Sequence, residues 1–103
     1  MSNIDKERLK RELVHALGRD EQVEKIVVFG SFNHLPHPHD MDIAVFCNST
    51  ADYLTLALAF RKKLRPLSKI IPIDLLPITL PFDPASEFMT EINKGEIVYE
   101  KGH

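Results

Sequence analysis

Ile26-Val27-Val28-Phe29-Gly30-Ser31, followed after a polar loop by His39-Asp40-Met41-Asp42-Ile43-Ala44-Val45, is the stretch that decides how this chain folds. The first run is apolar and β-branched and closes on a Gly-Ser turn, as a strand end does. The second carries two carboxylates two residues apart. In an extended strand side chains alternate between faces, so residues two apart point the same way, with backbones roughly 6.5 to 7 Å apart. Asp40 and Asp42 are therefore expected on one face. Met41, Ile43, Val45 and Cys47 fall on the opposite, apolar face, which lets one strand carry two neighbouring charges.

The alternation of elements continues outward from this pair of strands, 24 to 30 and 41 to 47. A helix is expected from Ile4 to Leu17, with Ile4, Leu9, Leu13, Val14 and Leu17 as its stripe, Ser2 or Asn3 as N-cap and Gly18 as its end. A second is expected from about 51 to 65, capped by Ser49 or Thr50, with Tyr53, Leu54, Ala57, Leu58 and Leu64 on one side. Lys62, Lys63 and Arg65 load its last turn, where the helix dipole favours cations. Residues 70 to 76 read as a third strand, and Pro72 marks it as an edge or a strand start. Asp83-Pro84 has the cap and first-turn proline of a helix that turns Phe88, Met89 and Ile92 inward and stops before Gly95. A short strand from Glu96 to Glu100 follows. The expected architecture is one α/β (α+β) domain over residues 1–103, a small mixed β-sheet flanked by helices in two or three layers.

Composition narrows the function classes. With 103 residues, 44% hydrophobic and 27% charged, the chain suits one globular core. No apolar run spans a membrane, and the charged N-terminus does not read as a signal peptide. A single cysteine, Cys47, forms no internal disulfide, which fits a cytoplasmic location. The net charge of −2 gives no general attraction to long nucleic acid, which is not expected as a partner.

The chemistry then follows from residue types. A Gly-Ser turn at a strand end lets backbone amides and the Ser31 hydroxyl approach phosphate oxygens, since Gly30 has no Cβ to obstruct them. Asp40 and Asp42 offer hard oxygen ligands that suit Mg²⁺, and Asp74 on the third strand would complete the set. Two ions about 3.5 to 4 Å apart could clamp the attacking and leaving oxygens of a phosphoryl transfer. Asp74 would ligate the ion that binds the attacking hydroxyl, or accept its proton.

These segments, with Ile73-Asp74-Leu75-Leu76, resemble the minimal nucleotidyltransferase (MNT) branch of the DNA polymerase beta type nucleotidyltransferase superfamily. The likeness covers nearly the whole chain, including the closing helix, Gly95 and the strand from Ile97 to Tyr99. It implies the nucleotidyltransferase fold, with Asp40, Asp42 and Asp74 as catalytic metal ligands and Gly30 and Ser31 as nucleotide-binding residues. It further implies Mg²⁺-dependent transfer of a nucleoside monophosphate, AMP from ATP being the expected case, to an acceptor hydroxyl. Small members of this branch partner a helical HEPN-domain toxin as its antitoxin, some by adenylylating it. The chain departs from the pattern in one place. Members often carry an arginine just after Gly-Ser, whereas here Phe32-Asn33-His34 follows Ser31.

Plainer readings stand beside these. Asp-x-Asp pairs also occur on exposed strands, but the ordered set favours metal binding. His34, His37 and His39 suggest zinc, yet a proline-stiffened surface loop is the preferred reading because no cysteine lies at ligand spacing. Cys47 reads as a small core residue, and Tyr53 and Tyr99 as packing residues. The alternative to an enzyme is an antitoxin module that binds nucleotide weakly or not at all and acts by binding its partner. Exposed edges at 71–73 or Val98 would allow a homodimer.

Overall fold

The computed structural model describes residues 5–79 and 87–102. Four strands, β1 (Val23–Phe29), β2 (Met41–Cys47), β3 (Ile73–Thr79) and β4 (Glu96–Glu100), form one sheet in the order β3-β2-β1-β4. β1 runs antiparallel to both β2 and β4, while β2 and β3 are parallel. The helices are α1 (Lys6–Leu17), α2 (Tyr53–Lys63), α3 (Arg65–Ser68) and α4 (Glu87–Asn93). A parallel pair cannot be joined by a tight turn, and α2 with α3 supplies the crossover from β2 to β3.

β2 has the bounds expected of it, and the reason is its alternation. Met41, Ile43, Val45 and Cys47 are all fully buried and pack with Leu9, Leu13 and Leu17 of α1 and with Leu56, Phe60, Leu64 and Leu67 of α2 and α3. Burying each large apolar side chain contributes about 1.5–3 kcal/mol, so three or four of them outweigh the cost of holding carboxylates on the other face. That other face is polar only at one end. Further along, Ala44 and Phe46 pack with Val27 and with Met89 and Ile92 of α4, which makes three layers.

Several boundaries differ from expectation, each for a local reason. The cap of α1 is Asp5, whose carboxylate accepts the Arg8 N–H at 3.1 Å; Ser2, Asn3 and Ile4 lie outside the described residues. The cap of α2 is Asp52, which accepts the Thr55 N–H at 2.8 Å, whereas Ser49 is occupied with the Ala51 N–H. The buried face of α2 is Leu56, Ala57, Phe60 and, at its end, Leu64. Tyr53, Leu54 and Leu58 are 55%, 65% and 58% exposed, contrary to their expected inward placement. Two apolar stripes compete on this helix, and the one that buries the large Phe60 ring wins. β3 begins three residues later than expected, directly after Pro72, whose carbonyl accepts the Met41 N–H at 2.9 Å. As the edge strand it also tolerates Pro77. The expected cap Asp83-Pro84 and the side chain of Phe88 lie outside the described residues. No helix among the described residues is long and apolar enough to cross a membrane.

Candidate functional site

Register brings the carboxylates together. Asp40 is the residue before β2, Asp42 is the second residue of β2, and Asp74 is the second of β3. In the parallel ladder Asp42 pairs directly with Asp74, so their side chains project from the same face of adjacent strands. One oxygen from each of the three lies within 4.8 Å of the others, with Asp40 and Asp42 half-buried and Asp74 exposed. Asp74 thus sits at the start of β3 in fixed register with β2, with Pro72 just before the strand.

The electrostatics of this cluster are one-sided. The Asp42 carboxyl is pushed up to about 6, first by desolvation, then by the charge of Asp40, and then by the hydrogen bond and charge of Asp74. No lysine or arginine pairs with any of the three among the described residues. Lys63, one of the cations at the end of α2, is instead bound to Asp20 at 2.8 Å. Three clustered carboxylates without a cationic side chain make a donor set of hard oxygens, and a divalent cation fits that set by charge and by ligand type.

The turn after β1 lies against this cluster. Gly30 has φ 76°, a conformation costly for residues with a side chain, and a Cβ at this position would collide with Oδ2 of Asp42. Glycine is therefore required both by the backbone and by the close approach of the carboxylate. From Gly30 to Asn33 the chain forms a 3-10 turn, with the Ser31 carbonyl accepting the N–H groups of His34 and Leu35 at 3.0 and 2.9 Å. The first N–H groups of such a turn have no partner within it, and the Ser31 side chain is exposed beside them.

Phe32 does not face this site. Its ring is fully buried among the α1 side of the core, with the Lys6 ammonium 5.5 Å from its centroid. The position after Ser31 is thus a packing position in this chain, and the departure noted in sequence lies in the core. His34, His37 and His39 are exposed, and among the described residues the only group of three or more metal-ligating side chains this close is the carboxylate trio. Cys47 is buried, and its thiol is pushed up to about 11 by burial and then by the charge of Asp20, which keeps it from acting as a nucleophile. Sequence reasoning missed Asn33, whose side chain ties the turn back to β1; a polar residue in a loop carries no signal of such a bond.

With this geometry in hand, comparison with known proteins is specific. The family model described as "Polymerase beta, Nucleotidyltransferase" matches residues 11–103. No curated protein matches the chain significantly. Among solved structures, a tri-AMPylated Shewanella oneidensis HEPN toxin in complex with MNT antitoxin aligns with TM-score 0.63 at 17% identity, over 92% of this chain and 72% of that one. A toxin–antitoxin crystal structure with AMP-PNP aligns with TM-score 0.62 at 19% identity, over 90% and 74% of the two chains. A mutant MntA-HpeT toxin–antitoxin structure aligns with TM-score 0.55 at 20% identity, over 93% and 73%. At such identities the likeness concerns the fold.

Proposed function

Because the chain belongs to the polymerase beta nucleotidyltransferase family, we propose that it transfers AMP from ATP to a hydroxyl on a HEPN toxin partner, and so serves as the antitoxin of a toxin–antitoxin pair. The observation that carries this reading is the meeting of Asp40, Asp42 and Asp74 beside the Gly30-Ser31 turn. Solved structures of the same fold include an AMPylated toxin with MNT antitoxin and a toxin–antitoxin pair with AMP-PNP, which supports the nucleotide and the partner class.

In this reading Asp40, Asp42 and Asp74 hold Mg²⁺, two ions in the full site. The bound metal supplies charge neutralisation on the phosphates and lowers the pKa of the attacking hydroxyl. Gly30 and Ser31 position the triphosphate through backbone N–H groups and the Ser31 hydroxyl. The acceptor oxygen attacks the α-phosphorus, the bond from that phosphorus to the bridging oxygen of the β-phosphate breaks, and pyrophosphate leaves with that electron pair. Asp74 is the most exposed of the three carboxylates and takes the hydroxyl proton. The chain supplies the nucleotide side of the reaction, and the partner supplies the acceptor.

Incubation with labelled ATP, Mg²⁺ and the protein encoded by the neighbouring gene, expected to be a HEPN-domain protein, tests this. Label is expected on the partner with the wild type and none with Asp42→Asn. A tight complex that never acquires label would refute transfer and leave an antitoxin that acts by binding alone.

A further inference from the structure

The 3-10 turn that carries Gly30 and Ser31 is anchored in the core by Phe32 and tied to β1 by a side-chain hydrogen bond. Asn33 donates its Nδ2–H to the carbonyl of Val28 at 2.8 Å, reaching back across the turn. The backbone bonds from His34 and Leu35 to Ser31 fix residues 31–35 relative to one another, but they do not set the angle of the turn to the strand. Gly30, held at φ 76° against the Asp42 carboxylate, fixes where the turn leaves the strand. The Asn33 bond, together with the buried Phe32 ring, supplies the constraint on the angle and is the part of it that ties the end of the turn directly to β1.

The Val28 carbonyl is a crowded point. A Cβ built on Gly95, in the turn between α4 and β4, would lie 2.6 Å from it and 2.8 Å from Cβ of Phe29. The end of β1, the turn after it and the exit from α4 therefore meet at one carbonyl. Asn33 is also an expensive choice for this place. Its Oδ1 is buried with no hydrogen-bond partner among the described residues, and an unpaired buried acceptor costs more than one good hydrogen bond returns. A smaller or apolar side chain would avoid that loss but would give up the donor to the Val28 carbonyl.

We propose that Asn33 is a positioning residue for the nucleotide's phosphates: by tying the turn to the Val28 carbonyl it holds the Ser31 hydroxyl and the turn's first N–H groups in place beside Asp42. The assignment rests on the nucleotidyltransferase reading above. It separates phosphate positioning from metal binding, since the three carboxylates sit on the stretch that opens β2 and on β3, and none of them touches Asn33 through a hydrogen bond.

Calorimetry on the full chain tests it, with Mg²⁺ alone, AMP-PNP with Mg²⁺, and pyrophosphate with Mg²⁺ as probes. Asn33→Ala is expected to weaken AMP-PNP and pyrophosphate alike by about tenfold, the loss of one oriented hydrogen bond, while Mg²⁺ alone binds as to the wild type. Asn33→Ser, polar but too short to span to Val28, is expected to behave the same way. Wild-type affinity for both phosphate probes in either variant would overturn the assignment and leave the nucleotidyltransferase reading intact. Loss of Mg²⁺ binding together with the phosphates, or failure of both variants to fold, would show that Asn33 serves the fold at large and also overturn it. Wild-type protein that binds neither phosphate probe would overturn the nucleotidyltransferase reading, and the role of Asn33 with it.

Discussion

Removing one carboxylate from the cluster should stabilise the metal-free protein, and the pH at which it does so is set by Asp42. A carboxyl whose folded pKa lies above its unfolded value holds its proton more tightly when folded. Its contribution is complete below the ordinary value of 3.8 and is lost as pH rises through about 6, where the folded group must ionise against Asp40 and Asp74. Two units at about 1.4 kcal/mol each give a ceiling of ~3 kcal/mol at neutral pH. Asp42 is only half-buried, so solvent screening reduces this to roughly 1–1.5 kcal/mol. Asn has nearly the same shape and carries no charge. Asp42→Asn should therefore melt about 4–8 °C above the wild type at pH 7.5 in EDTA, and with the wild type at pH 4. Added Mg²⁺ should raise the wild-type melting temperature at pH 7.5 and leave the variant unchanged. Thermal melts followed by circular dichroism measure all three conditions. A variant that is no more stable than the wild type at pH 7.5, or that is equally stabilised at both pH values, would refute the claim that the carboxylates repel one another in the free site.

Other outcomes follow from the turn and the core. Gly30→Ala forces a side chain into a positive-φ backbone and against Asp42, so it should cost about 2–4 kcal/mol and abolish the Mg²⁺ response in the same melts. Phe32→Arg should unfold the chain, because it places a charge at a fully buried position, and the loss of the cooperative melt reads this directly. His34→Arg should instead tighten AMP-PNP binding by about three- to tenfold in calorimetry, because residues three apart in a 3-10 turn line up and His34 shares the exposed side with Ser31. Equal binding by His34→Arg and wild type would place His34 off the phosphate path.

How much of this was legible in sequence depends on how far each feature reaches along the chain. The Asp40–Asp42 pair and the whole of β2 could be read because a period of two needs only local information. β4 and the site-side end of β1 were readable for similar reasons. The face of α2 was not, since two apolar stripes satisfy the same helical period and only the packing of Phe60 against the sheet chooses between them. The pairing of Asp74 with Asp42 depends on a parallel register carried through α2 and α3, and no local pattern encodes it. The role of residue 32 was not legible for a subtler reason. In sequence, Phe32 after Ser31 looks like a lost cation. In the fold, the tight turn at Gly30 sends residue 32 into the core under Lys6 and leaves Ser31 and His34 outside. A chain with this turn could not use an arginine at 32 for phosphate without losing a core ring. On the proposed reading, charge for the phosphates comes from somewhere other than residue 32, and the carboxylate cluster with its metal gains weight in nucleotide binding.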